Sequence, residues 1–217
     1  MKSKILKIMS IVAIFSLLPL FMGNDECQVN ETFKQLFQQM KQKLPPPQGQ
    51  DKTYVTHLTF MDALTQTQMA NTEHADLINE AVVKGMNEAQ NQNPKLAIDE
   101  SGHIIKNNDK NVNDLVNITF DPNLTKSQKI ENIINDMMLP NKVDVIVTGQ
   151  YIDDAKSQLI SVRPLVIVRA DKKIVTKNLQ FTKEELFCED PHSKKKILCS
   201  GAHDQIAQAV QDLLDQI

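Results

Sequence analysis

The chain has 217 residues, enough for one ordinary domain or two small ones. Aromatic residues make up 5% with no Trp, and the net charge is −3, which excludes a basic nucleic-acid footprint and a ring-rich platform for stacking bases or sugars. Six Gly and nine Pro exclude a collagen-like or generally Gly/Pro-rich disordered chain.

At the start, Lys2, Lys4 and Lys7 precede an apolar run from Ile8 to Met22. A basic segment followed by a short apolar helix reads as a secretory signal over residues 1–23. An uncleaved anchor needs about 20 apolar residues to span comfortably, and Pro19 interrupts the last turn. Gly23 offers a small residue for cleavage, although Phe21 is large where a small one is preferred. Cleavage there removes three lysines and no acid, taking the net charge from −3 to −6. The expected location is periplasmic, either free or in association with the membrane.

Residues 24–50 read as an amphipathic helix and a linker. Val29, Phe33, Leu36, Phe37, Met40 and Leu44 recur at helical spacing, and Pro45, Pro46 and Pro47 end the helix because they cannot donate to its ladder. Residues 51–217 then form an α/β (α+β) domain. Thr53 to Met61 is rich in β-branched and aromatic residues and reads as a strand. After a polar loop, Asn71 or Thr72 caps a helix to about Gln90, with an apolar stripe of Ala75, Ile78, Val82, Met86 and Ala89. Lys95–Ile98 and His103–Ile105 flank a turn at Glu100-Ser101-Gly102 and read as a hairpin. Asn107 to Asn113 reads as a polar loop and Val116 to Phe120 as a short strand.

Thr125 caps a further helix carrying Ile130, Ile133, Ile134, Met137 and Met138, closed by Pro140. Val143 to Tyr151 is the clearest strand. Ile160–Arg169 and Lys173–Phe181 form a meander hairpin through Ala170-Asp171-Lys172, with Pro164 placed at an edge or bulge because it cannot donate to a ladder. Ala202 to Ile217 is a last amphipathic helix with Ile206, Ala209, Val210, Leu213 and Leu214 on one side. This order implies a mixed sheet with helices packed against it in one domain.

The order of elements between Thr53 and Phe181 resembles a family of bacterial envelope domains. They include the N-terminal domain of TolB, the flagellar lipoprotein FlgO, the penicillin-binding-protein activator LpoB and the curli secretion lipoprotein CsgG. The residues that carry the likeness are the strand DVIVTGQY ending at Tyr151, the hairpin Ile160–Phe181 and the long helix after the first strand. Here the lipobox is absent, the hairpin turn has Ala170-Asp171-Lys172 where a Gly is usual, and the loop from Cys188 to Cys199 is extra. The resemblance implies a module that docks onto envelope proteins and carries over no catalytic residues.

Three Cys in an exported chain leave one pair and one single. Cys188 and Cys199, separated by ten residues, read as a disulfide closing the loop 188–199. The competing reading is a tetrahedral zinc site of Cys188, His192, Cys199 and His203, disfavoured by an oxidising compartment. Cys27 follows Asn24, Asp25 and Glu26 and is left as a free thiol, an intermolecular link or an atypical lipid site.

Lys194, Lys195 and Lys196 sit at the tip of the closed loop. They are either a solvated tip or a contact for an anionic surface such as phospholipid headgroups or an acidic partner, with Arg163, Arg169, Lys172, Lys173 and Lys177 extending the patch. Ser161 and Ser200 lie outside any G-x-S-x-G context. The expectation is therefore a non-enzymatic scaffold or accessory protein of an envelope assembly. It would have no cofactor and no nucleic-acid partner, and homo-oligomerisation stays open. The alternative is a periplasmic small-ligand or metal-binding protein.

Overall fold

The computed structural model describes residues 52–69, 72–99, 105 and 108–217. The signal, the helix and linker expected over residues 24–50, and Cys27, lie outside the described residues. Within them the fold is α/β with a mixed sheet, built around two long strands. β5 (Val145–Asp154) and β6 (Leu159–Val168) pair antiparallel along their whole length. Their residues alternate between two apolar environments, with Val145, Val147, Tyr151, Ile160, Val162 and Val166 on one face and Ile146, Leu165 and Ile167 on the other. Strands with two apolar faces need cover on both.

The other flank of β5 is lined by the first segment of the domain. β1 (Thr53–His57) pairs with β5 in parallel, and β2 (Met61–Asp62) continues along it. His57 faces Val147 and Met61 faces Gln150, so four steps on one strand match three on the other. The strand expected from Thr53 to Met61 therefore exists, but a one-residue bulge divides it. Leu58 N donates to Val147 O at 2.9 Å, and Thr148 Oγ1 donates to Thr59 O at 3.0 Å, holding the bulge down. Phe60 folds from the bulge over Gly149, where an added Cβ would lie 2.1 Å from the ring. Gly149 is thus required by close approach. β3 (Thr67–Gln68) turns back on β2.

From there α1 (Thr72–Gln92) crosses one face and delivers β4 (Leu96–Asp99) parallel to β1. The predicted stripe of Ala75, Ile78, Val82, Met86 and Ala89 is the buried one. Of the hairpin expected over residues 95–105, residues 100–104 lie outside the described residues, while β4 takes β1 as its parallel partner and Ile105 is buried under the opposite helical layer.

That layer holds the clearest correction. Residues 109–120, read as a loop and a strand, form helix α2 (Asp109–Phe120). Asn108 Oδ1 accepts from Asn111 N at 3.0 Å and caps it, and Val112, Leu115 and Val116 recur at helical spacing on its buried side. The polar Asn run disguised a cap and a first turn, and the β-branched residues disguised the rest. α3 (Lys126–Ile133) opens with a capping box between Thr125 and Gln128. A π-helical turn (Ile134–Met138) carries it into α4 (Leu139–Asn141), so Pro140 is accommodated rather than terminating the helix. Lys142, at φ 55, ends it.

β6 also pairs with β7 (Lys173–Thr176) and β8 (Leu179–Phe181), completing the expected meander. Pro164 lies opposite Gly149, with its carbonyl turned to the other side, where it accepts from Lys177 N and Thr176 Oγ1. Its missing N–H therefore falls at the gap between β7 and β8 and costs the β5 ladder nothing. In the β6–β7 turn, Lys172 takes the left-handed conformation, φ 48, that a glycine would adopt more cheaply.

At the amino end of the sheet one carboxylate ties three strands. Asp144 Oδ2 accepts from Tyr54 N at 2.9 Å, while Asp144 Oδ1 pairs with the Arg169 guanidinium. Asp144 N donates to Tyr54 O, and Arg169 N donates to Asp144 O. α6 (Ser200–Leu214) returns beside α1 on the first face, burying Ile206, Val210, Leu213 and Leu214. The two helices meet at Gly85, where a Cβ would lie 2.2 Å from the Ala207 carbonyl oxygen. Gly85→Ala is expected to destabilise the domain by about 1–3 kcal/mol through overpacking against backbone, despite the better helix propensity of Ala. Urea unfolding of the variant against the parent measures it.

Candidate functional site

Sites in open α/β sheets gather beyond the carboxyl ends of the parallel strands. At that end of β5, the start of α1 meets a small separate sheet made by the C-terminal loop. After β8, a short helix α5 (Lys183–Leu186) opens with a Thr182–Glu185 capping box. β9 (Phe187–Glu189) and β10 (Lys196–Leu198) then pair antiparallel, leading into α6 at Cys199.

Cys188 and Cys199 lie at disulfide distance, with Cα atoms 5.0 Å apart. The root of the hairpin is fixed by Phe187 and Leu198, both in the main core, and by the bond from Cys199 N to Leu186 O at 3.0 Å. Its tip is ordered by Asp190, whose Oδ1 accepts from His192 N and Ser193 N at 2.9 and 2.6 Å. These bonds hold the Asp190 carboxyl below the usual carboxylate range.

The three lysines expected at the tip have different surroundings. Lys194 pairs with Glu189 at 3.5 Å, both exposed. Lys195 is exposed. Lys196 leaves the tip: its Nζ lies 3.2 Å from His74 Nε2 and 5.6 Å from the centre of the Phe187 ring. His74, in the first turn of α1, stacks on Phe187 with ring centres 4.0 Å apart and planes 21° apart. The imidazole is largely shielded from solvent. Its pKa is lowered by burial first and by Lys196 next, with Lys183 adding to this and Glu73 and Asp153 opposing it.

The patch expected from Arg163, Arg169, Lys172, Lys173 and Lys177 is largely neutralised locally. Arg169 pairs with Asp144, Lys172 with Glu131, Lys173 with Asp171 and Lys177 with Asp212, while Arg163 donates to Gln150.

The zinc alternative finds no support in the geometry. Cys188 and Cys199 take each other, and His203 Nδ1 sits 3.7 Å from Asp204, which is itself bound to Lys84 at 2.7 Å. Among the described residues, no group of three or more His, Cys, Asp or Glu is placed to hold a metal ion.

Further inside, beneath α1, His57 is buried and Asn79 donates to Thr59 Oγ1 at 2.8 Å. Burial drives the His57 pKa from 6.5 down to about 4, with Asn79 pulling weakly the other way. On β5, Tyr151 has a buried hydroxyl whose proton is retained by burial and by Asp153 and Asp62. Both side chains are buried, and neither His57 Nε2 nor the Tyr151 hydroxyl has a hydrogen-bond partner among the described residues.

Sequence reasoning missed His74, Phe187 and the separation of Lys196 from its neighbours. His74 and Lys196 are 122 positions apart, and no local spacing announces their meeting. Comparisons with protein-family models, with curated proteins and with solved structures return no match. Among the described residues, no helix is long and apolar enough to cross a membrane.

Two outcomes are expected. Replacing both Cys188 and Cys199 by Ser should lower stability by about 2–3 kcal/mol, the loop-closure value for a ring this short. Non-reducing peptide mapping should recover the 188–199 pair, and a crosslink of Cys27 to either partner would contradict it. For His57, the unfolded chain binds the proton before the folded one does. Its contribution is therefore complete above about pH 6.5 and lost as pH falls toward about 4, by about 3 kcal/mol. Urea titrations across that range should show this slope, reduced in His57→Gln; an equal slope in both proteins would refute the assignment.

Proposed function

We propose that this protein is an exported, non-catalytic accessory or scaffold component of a bacterial cell-envelope assembly, acting by docking onto other envelope proteins. The observation that carries the reading is the disulfide-closed hairpin. Its root is anchored in the core, and its outer edge displays Lys194 and Lys195. A two-stranded unit is marginal in water by itself, so a staple that keeps one in place suits a surface used for recognition. The disulfide is compatible with export. The likeness in order of elements to the TolB, FlgO, LpoB and CsgG group supports docking over catalysis, and an acidic partner or phospholipid headgroups suits the exposed lysines.

The test places a photo-crosslinking residue at position 192, an exposed side chain at the same hairpin tip, in the native host and fractionates the envelope. Covalent adducts with a defined envelope component, lost when Lys194 and Lys195 are changed to Glu, are expected together with a mature N-terminus near residue 24. A cytosolic protein beginning at Met1 would overturn the reading. So would an absence of adducts combined with a stoichiometric small ligand in native mass spectra, which would favour the ligand-binding alternative.

A further inference from the structure

The hairpin holds one lysine back. Lys196 Nζ can donate to His74 Nε2 only while that nitrogen carries a lone pair, which is the neutral imidazole with its proton on Nδ1. The same imidazole lies flat on Phe187, and the ammonium approaches that ring as well. Protonation of His74 removes the acceptor and puts two cations at hydrogen-bond distance. The imidazolium can stay, because its stacking on Phe187 is a favourable cation–π contact. Lys196 is the partner that can leave, since it is exposed and sits on a flexible stem.

The charged groups facing His74 come from every neighbouring element. Lys196 on β10 and Lys183 on α5 oppose its protonation, whereas Glu73 on α1 and Asp153 on β5 favour it. Burial is the largest influence and lowers the His74 pKa, the two lysines lower it further, and the two acids act in the opposite sense.

We propose that His74 and Lys196 form a proton-operated switch. In the neutral state Lys196 is folded back onto His74 and Phe187, and in the protonated state it is released outward to join Lys194 and Lys195. The proposal deepens the docking reading above and rests on it for its purpose: acidification would complete the basic edge that meets an anionic surface. The switch itself stands on the geometry alone.

Two measurements separate switch from purpose. The first is nuclear magnetic resonance of the intact, oxidised protein from about pH 7.5 down through and below the ordinary histidine value of about 6.5, because burial and Lys196 lower the His74 pKa. The Lys196 ε-protons, shifted upfield by the Phe187 ring at neutral pH, should move to the position of a solvated lysine with the same midpoint as the His74 ring. In His74→Phe the Lys196 signal should lose its pH dependence, and in Lys196→Met the His74 midpoint should rise. Backbone amides of Val147 and Thr148 in β5 should stay protected, separating the local event from the general acid weakening through His57. An unmoving Lys196 signal, or an unchanged His74 midpoint in Lys196→Met, would overturn the switch.

The second measurement is sedimentation with vesicles of equal parts phosphatidylglycerol and phosphatidylcholine. Binding should tighten about fivefold on acidification, the increment expected for one added lysine near an anionic surface, and this gain should be lost in Lys196→Met. If Lys196 moves with His74 while binding stays the same at both pH values, the switch stands and the anionic-surface reading falls.

Discussion

The architecture depends on the burial of β5 on four sides. One edge is taken along its length by β6, the other by β1 and then β2, and both faces are apolar. Over Val145–Gly149 such a strand has no solvent face, so each side of the sheet must carry helices. α1 and α6 supply one layer, and α2 with α3 the other. The close contacts follow from the same demand. Gly149 lets Phe60 lie against β5, and Gly85 lets α1 approach α6. Asp144 holds β1, β5 and β6 in register at their shared end with charge-assisted bonds.

The C-terminal hairpin is held by a different kind of constraint. Its two three-residue strands are isolated from the main sheet, and their ladder is too short to persist unaided. Two side chains lend it to the core, and the cystine closes it. This is why the chemistry of the loop is inseparable from compartment: a thiol pair serves such a role only where it stays oxidised.

Electrostatics reinforce the division between interior and rim. In the C-terminal third, Arg169, Lys172, Lys173, Lys177 and Lys194 each have a carboxylate at hand, which breaks up the basic surface there. The two shielded histidines, His57 and His74, are both held toward the neutral form, one by burial alone and one by burial with a lysine beside it. Acid therefore acts on the core through the first and on the hairpin through the second. Only the second faces a group that can move.

The amino-acid order by itself determined the fold class, the helices whose apolar stripes repeat over several turns, the β5–β6 meander and the pairing of Cys188 with Cys199. Those features are local: periodicity, turn residues and short loop closure are all read within about 20 neighbouring positions. It misread residues 109–120, because Asn-rich first turns and β-branched residues score against helix until a sheet is present to bury Val112, Leu115 and Val116. It also grouped Lys194, Lys195 and Lys196 as one basic tip. Only the tertiary structure separated Lys196 from the others, because α1 and β10 are brought together by packing on the same core, and no spacing along the chain encodes which side chain the meeting places over Phe187.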